Sequence, residues 1–262
     1  MILVSGGTGL VGSAICKELA KNKLDHYILT RYPREQNHIY FDFMKFDLTE
    51  LKKFHFDEIS FIHCAWYVNH KDYKNSLENL KWQAATEKFV VFLSQNKLVH
   101  IVGIGSGSEY LPSANPKQYF DKEFPNNLYA ETKINTQKKL RYICEDKNIP
   151  FAWARVFFIH GIDEAQTRLV PQIKEAKRHK RKLRINAANK IIDLRDVNEV
   201  GKDIVFLTKS KKNGIFNVSS GRGQSIKKIV KNLTNSRDYN AYFEFVDIKE
   251  PDYSVGINNV YD

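Results

Sequence analysis

Residues 2–15 read ILVSGGTGLVGSAI, and this stretch decides the fold. Ile2-Leu3-Val4-Ser5 is a short apolar run closed by a glycine turn, the pattern of a buried strand. Leu10, Val11, Ala14, Ile15 and Leu19 then recur at helical spacing, so a helix follows at once. Gly6, Gly9 and Gly12 stand at the junction. Glycine there permits a positive φ, close approach of backbone to a ligand, and tight packing of helix on strand. The start of the helix presents unpaired N–H groups and the positive end of a dipole, which suit a pyrophosphate. An ordinary glycine-rich turn has the same composition, so the residues downstream must separate the two readings.

Strand-like runs continue along the chain as HYILTR, EISFIHCAW, KLVHIVGIG and PFAWARVFF. They alternate with helix-patterned segments near residues 10–23, 75–96 and 129–147. This alternation predicts an α/β fold: a Rossmann-type parallel sheet with helices on both faces and a small C-terminal substrate lobe. Ligands of such sheets bind beyond the carboxyl ends of the strands. After Phe158 the pattern loosens into a charged helix, the short strand LRIN, another helix and GIFNVSS. The expected division is a dinucleotide-binding domain over 1–160 with 186–219 returning to it, and a substrate lobe from 161–185 and 220–262.

A chain of 262 residues, 42% hydrophobic and 13% aromatic, is long and apolar enough to bury a core, which excludes a disordered protein. Cys16, Cys64 and Cys144 are far apart and form neither a metal-spaced pair nor a disulfide framework, as in a reducing compartment. The chain enters a strand at residue 2 without a basic leader, and no run approaches the ~18 apolar residues of a membrane span. The expectation is a soluble cytoplasmic protein with no membrane partner. The net charge of +11 is densest in KEAKRHKRKLR, Lys174 to Arg184. That run reads as a solvated helix face. No nucleic-acid motif accompanies it and no aromatics are interleaved, so no nucleic-acid partner is expected. A positive field also attracts charged nucleotides.

The second strand ends in YILTRYP, at the place where such a fold meets the adenosine ribose. An acidic side chain there would bond the 2′-hydroxyl and repel a 2′-phosphate. Thr30 and Arg31 hold the place, with Arg34 nearby, which favours NADP (NADPH) over NAD. Asp47 in Phe46-Asp47-Leu48 is placed to meet the adenine amino group. Cys64, Ala65 and Trp66 are placed to line the diphosphate and nicotinamide ribose. His63 reads as a packed structural histidine.

Tyr129 and Lys133 in YAETK begin a helical segment, and the i, i+4 spacing puts phenol and ammonium on one face. A lysine there is expected to lower the tyrosine pKa from near 10, giving a proton donor for carbonyl reduction near neutral pH. The fourth long strand ends in GIGSGSEY, where the Ser106 hydroxyl can bond the same carbonyl oxygen.

With these residues in view, the sequence resembles the extended short-chain dehydrogenases/reductases, the NAD-dependent epimerase/dehydratase family. The resemblance runs from residue 2 to about residue 230 and rests on GGTGLVG, FDL, HCAW, GSGSEY, YAETK, RVFFIHG and NVSSG. It implies Ser106, Tyr129 and Lys133 as catalytic residues, with Ser106 chosen over Ser108 because it stands four residues before Tyr110. It further implies cofactor contacts from Gly6, Thr8, Gly9, Leu10, Val11, Gly12, Thr30, Arg31, Asp47, Leu48, Cys64, Ala65, Trp66, Tyr129 and Lys133. A homodimer joined through the helices near 75–96 and 129–147 is also implied.

A narrower resemblance, from HCAWYV, LENLKW, GSGSEY and RVFFIHG leading to RLVP, is to NDP-4-keto-6-deoxyhexose 4-reductases. It implies a dTDP-, CDP- or GDP-linked 4-keto-6-deoxyhexose, reduced at C4 by NADPH for lipopolysaccharide-type surface sugars. Gly107 and Ser108 stand where a 4,6-dehydratase of the family carries Asp-Glu, and Ser108 where a 3,5-epimerase/reductase carries cysteine. A C4-epimerase with tightly bound NAD is the alternative enzyme, and a dinucleotide-sensing regulator the alternative outside enzymes. Two departures stand out. Ile192-Asp193-Leu194 replaces the family's Arg-Asp-Phe stretch, so Arg195, Arg168 or Arg222 would have to hold the substrate diphosphate. Arg168, with Ser108, is the expected substrate contact. The chain also stops at Asp262, soon after SVGINNVYD, without the family's usual last helix, implying a small substrate lobe.

Overall fold

The structure, a computed structural model, describes residues 1–54, 57–234, 241–249 and 253–262. In chain order the first part comprises β1 (Ile2–Ser5), α1 (Leu10–Lys21), β2 (His26–Thr30), β3 (His38–Tyr40), β4 (Ile59–His63), α2 (Glu78–Ser94), β5 (Leu98–Ser106), α3 (Leu128–Asp146), β6 (Phe151–Val156) and β7 (Phe158–His160). There follow α4 (Leu169–Arg178), β8 (Leu183–Asn186), β9 (Ile191–Ile192), β10 (Leu194–Asp196), α5 (Val197–Lys209), β11 (Gly214–Val218), β12 (Gln224–Ser225), α6 (Ile226–Thr234), β13 (Phe243–Val246) and β14 (Tyr253–Ser254).

Seven strands form one sheet in the order β11-β6-β5-β4-β1-β2-β3, every pairing parallel. The Rossmann-type α/β expectation holds. The chain starts mid-sheet at β1, winds outward to β3, then returns to lay β4 on the other side of β1. The order therefore reverses between β1 and β4, where a crevice opens beyond the carboxyl ends.

Successive residues of a strand point to opposite faces, and the central strands are apolar on both. Val4, Ile62, Val102 and Ala154 pack with Ile15 and Leu19 of α1 and Val200 and Ile204 of α5. Their neighbours Leu3, Phe61, Ile101 and Trp153 pack with Phe89 and Leu93 of α2 and Leu140 of α3 on the other face. The run PFAWARVFF, read as one strand, divides at Phe157. There the chain leaves the main sheet: β7 pairs with β10 instead, and the Phe157 ring stacks on Tyr110 with centroids 6.2 Å apart. Beyond the sheet, β12-β9-β14 and β13-β8 form two small sheets. Ile173, Ile185, Val230 and Phe243 make a separate apolar cluster between α4, α6 and these strands. Among the described residues no helix is long and apolar enough to cross a membrane.

The β1–α1 turn is closed by backbone crowding. Gly6 has φ +67°, and a Cβ there would stand 2.6 Å from the Ala65 nitrogen. A Cβ at Gly12 would collide with the Gly6 carbonyl oxygen, which accepts the Gly9 N–H at 3.0 Å. Gly12→Ala is expected to cost about 1–3 kcal/mol by overpacking, which for a domain of this size is roughly 2–10 °C in Tm. A thermal melt unchanged within error would show that this turn is not so closed.

Candidate active site

The ends of β1 and β4 are joined by a chain of buried hydrogen bonds. Ala65 N–H donates to Ser5 Oγ at 3.3 Å, and Ser5 Oγ meets His63 Nδ1 at 2.8 Å. His63 Nε2 meets Thr86 Oγ1 at 2.9 Å, and that hydroxyl donates to the Trp82 carbonyl at 2.7 Å. Thr86 has one proton and gives it to Trp82, so His63 donates from Nε2 and accepts from Ser5 at Nδ1. Burial pushes the imidazole down to about 3, so it is neutral and structural. This chain holds Cys64 and Ala65 against the glycine turn. Gly9 caps α1 without a side chain, and the first turn carries no acidic residue, so its N–H groups remain for an anion.

Trp66 continues the β4 loop. Its Nε1–H donates to Asn79 Oδ1 at 2.8 Å, and the Asn79 amide donates to the carbonyls of Tyr73 and Ser76 at 2.6 and 2.9 Å. One buried asparagine thus ties the loop before α2 to the indole. Lys133 Nζ lies 3.8 Å from the Trp66 ring centroid and donates to the Ile104 carbonyl at 2.9 Å. Lys133 is only 3% exposed, and burial pulls its pKa from 10.5 to about 7 against the opposing pull of Glu109 and Cys64.

Tyr129 stands one turn earlier on α3, whose start is capped by Asn127 Oδ1 accepting from Ala130 N–H at 2.9 Å. The Tyr129 amide donates to the Lys74 carbonyl at 2.9 Å, and its ring meets Tyr73 edge to face at 5.2 Å. Lys133 Nζ is 5.9 Å from the Tyr129 ring centroid. The Ser106 side chain, at the end of β5, lies close enough to the phenol to act on it. Ser106, Tyr129 and Lys133 are thus brought together at the carboxyl ends of the central strands.

One expectation is corrected. The phenol is raised above its usual range, not lowered: burial dominates, the Glu109 charge and Tyr73 add to it, and only the Ser106 side chain opposes. Lys133 does not overcome this because it is buried itself and weakly protonated. Tyr129 at rest is a neutral proton donor.

The remaining expected residues are scattered around this centre. Thr8 and Gly9 are exposed on the turn, with Leu10 and Val11 half-buried behind them. Thr30 Oγ1 accepts the Tyr32 N–H at 3.2 Å, and the exposed Arg31 lies 5.7 Å from the Tyr32 ring centroid. Asp47 is exposed and spends one oxygen on its own turn, accepting Thr49 N–H at 2.9 Å; the Thr49 side chain and then this N–H hold its carboxyl below the usual range, and Leu48 beside it is half-buried. Ser108 is exposed and its N–H donates to Ser106 Oγ at 3.1 Å.

Arg168 caps α4, bonding Glu164 at 3.0 Å and the Ile159 carbonyl at 2.8 Å, and its charge acts on the Tyr73 phenol at the rim of the site. Arg195 is paired with Asp203, which also accepts from the Tyr261 hydroxyl at 2.6 Å, so it rivets the C-terminal segment and is not free for a substrate. Asp193 accepts from Ser220 N–H and Oγ and from Gly221 N–H at 2.8–3.1 Å, fixing the NVSSG turn and leaving Arg222 exposed. The sequence reading missed Tyr73, Asn79, Thr86, Glu109 and Arg155. Of these, Arg155 had a signal: a cation set within the apolar run of a buried strand.

Comparison with known proteins agrees with this geometry. The sequence matches the NAD dependent epimerase/dehydratase family over residues 2–219. It is 23% identical over 259 residues to a dTDP-6-deoxy-L-talose 4-dehydrogenase (NAD(+)) of Aggregatibacter actinomycetemcomitans, covering 92% of this chain and 94% of that one. In fold it is similar to UDP-N-acetylglucosamine 4-epimerase from Bacillus cereus, with a TM-score of 0.82 at 17% identity over 98% of this chain and 86% of that one. It is likewise similar to a dTDP-glucose 4,6-dehydratase from Streptomyces venezuelae solved with NAD, with a TM-score of 0.82 at 14% identity over 98% and 88% of the two chains. The family match covers the glycine turn, the Ser106, Tyr129 and Lys133 cluster and the strand that follows them, and the chain belongs to the NAD-dependent epimerase/dehydratase family.

Proposed function

We propose that this protein reduces the 4-keto group of a nucleotide-linked 4-keto-6-deoxyhexose, with Ser106, Tyr129 and Lys133 as its catalytic residues. The observation that carries the reading is the convergence of those three side chains, with a neutral phenol, at the end of β5 beside a turn built for a pyrophosphate. A reduced nicotinamide dinucleotide held at the β1–α1 turn would supply the hydride that the carbonyl carbon takes up. Tyr129 gives its proton to the carbonyl oxygen, and Ser106 orients that oxygen by hydrogen bonding. The Lys133 ammonium offsets the phenolate left behind. Gly107 and Ser108 offer no carboxylate for eliminating water, and Glu109, the carboxylate closest in sequence, is bound by three N–H donors. The relative named as a 4-dehydrogenase of a dTDP-6-deoxyhexose acts at the same carbon by its name, in the opposite sense. A C4-epimerase, the activity named for one of the similar folds, uses the same kind of cofactor; NAD retained through purification is its signature.

For the cofactor, Thr30 and Arg31 support NADPH, whereas the relative's name and the similar dehydratase structure carry NAD. The same reading includes a homodimer through α2 and α3, a cytoplasmic location, and a substrate lobe from 161–185 and 220–262 with Arg168 and Ser108 toward the substrate.

Tyr129→Phe is expected to lower turnover about 10²–10⁴-fold, the usual worth of a positioned acid, while leaving dinucleotide affinity nearly intact. The assay is NADPH and NADH oxidation against a panel of dTDP-, CDP- and GDP-4-keto-6-deoxy sugars; undiminished turnover refutes the assignment. Arg31→Asp is expected to shift the NADPH/NADH ratio of kcat/KM at least ~10-fold toward NADH through loss of a charge-assisted contact. A wild type that prefers NADH, with a ratio that Arg31→Asp does not move, excludes the 2′-phosphate contact.

A further inference from the structure

The proposed reaction leaves one buried charge beside the site unused. Glu109 closes the short turn 107–109 after β5 and is fully buried. Its Oε1 accepts the Ser106 N–H at 2.7 Å; its Oε2 accepts Trp153 Nε1–H at 2.9 Å and Arg155 Nε–H at 2.7 Å. Burial raises its carboxyl above the usual range, while the three donors favour the anion. All three partners are donors, so the carboxylate needs no proton of its own to satisfy them. Arg155 is 1% exposed and is shared: its other end bonds Glu123 and the Tyr119 carbonyl, and its guanidinium lies 4.4 Å from the Tyr110 ring centroid. A cation divided between two carboxylates does not fully quench either.

Glu109 and Lys133 hold β5 two residues apart, one on the Ser106 amide and the other on the Ile104 carbonyl. Lys133 Nζ also lies 5.9 Å from the centroid of the Trp153 ring whose N–H is bonded to Glu109.

We propose that Glu109 is a positioning residue for this reaction: it fixes the backbone of Ser106 and sets a buried negative charge that acts across the end of β5 on Lys133 and Tyr129. That charge opposes the burial of the Lys133 ammonium and adds to the retention of the Tyr129 proton, so both groups keep the form that a proton donor to an alkoxide requires. The other titratable groups around the pair come from every neighbouring element. Cys64 and His63 face it from the end of β4, Tyr73 from the loop before α2 with Arg168 beyond, and Tyr110 with Glu123 surround Arg155. Burial raises Cys64 and Tyr73, pushes Tyr110 up to about 12, and pulls His63 down to about 3, so all four are neutral near pH 7. Arg168 is paired with Glu164, and Glu123 with Arg155 and Lys138. Glu109 is the anion that bears on Lys133 and Tyr129 together.

The test rests on the ketone reduction proposed above and reads its pH profile. Reduction requires the protons of Lys133 and Tyr129, so turnover falls on the alkaline side as they are lost. Glu109→Gln removes the charge and keeps the shape, and it is expected to move that alkaline limb of kcat/KM down by about one pH unit, with turnover at pH 5, below the moved limb, little changed. Glu123→Gln breaks the other half of the same ion pair and is expected to leave the limb in place. Where Glu109→Gln fails to fold, the double variant Glu109→Gln/Arg155→Met, which leaves no lone buried charge, carries the same expectation. A limb that stays put in a folded Glu109 variant, with activity lowered equally at every pH, overturns the electrostatic role and leaves a plain brace. If Tyr129→Phe is inactive and the limb does not move, only the role of Glu109 fails; if Tyr129→Phe is fully active, the reaction itself is wrong.

Discussion

Between Gly6 and Gly12 the chain turns back on itself so tightly that backbone atoms occupy the space where side chains would be, and the loop at Ala65 presses into the same space from β4. That crowding is what brings the end of β1, the start of α1 and the end of β4 into one crevice. Everything placed around the crevice depends on it. The Ser5–His63–Thr86 chain fixes the β4 loop in register with β1 and α2, and the Trp66–Asn79 bond extends that register to the loop carrying Tyr73. The Ser5 and Thr86 hydroxyls are joined through the His63 imidazole, and the Asn79 amide is satisfied by Trp66 and two backbone carbonyls; all four residues are fully buried, so their burial costs little and orders the segments together.

Burial also decides the chemistry of the two titratable groups at the centre. Lys133 and Tyr129 sit on one helix face, yet in the folded protein each is governed less by the other than by loss of water. The lysine is held near the point where a small change in local charge alters its protonation, and the tyrosine is kept as an acid. Such a pair is sensitive to a fixed charge close by, which gives the buried Glu109–Arg155 pair a consequence beyond stability. A buried ion pair is weak evidence for stability in itself, since desolvation offsets much of the attraction.

The basic run from Lys174 to Arg184 belongs to the last turns of α4 and the strand after it. Its cations are exposed and partly paired at the surface, Arg181 with Glu175 at 3.0 Å and Arg184 with Glu244 at 3.9 Å. Pairs of this kind contribute little to stability. Its buried member, Ala176, lies in the small cluster with Ile173 and Val230. The run is the outer face of a packed helix.

The sequence by itself determined the sheet, because periodicity and glycine spacing are local: an apolar run of four, a turn that only glycine can make, and a helix at period 3.6 leave few folds open. It also placed Ser106, Tyr129 and Lys133 at the right ends of their elements, because those ends coincide with visible changes of pattern. It did not show that PFAWARVFF breaks at Phe157, since a stacked ring on Tyr110 and a new partner strand at 194–196 are contacts between distant parts of the chain. Nor did it show which arginine was free: Arg195 looked available until Asp203 and Tyr261 closed on it. The direction of the Tyr129 shift was misread for the same reason. Spacing along a helix tells which groups are neighbours, but how strongly they act on each other is set by the water excluded around them, and only the tertiary structure decides that.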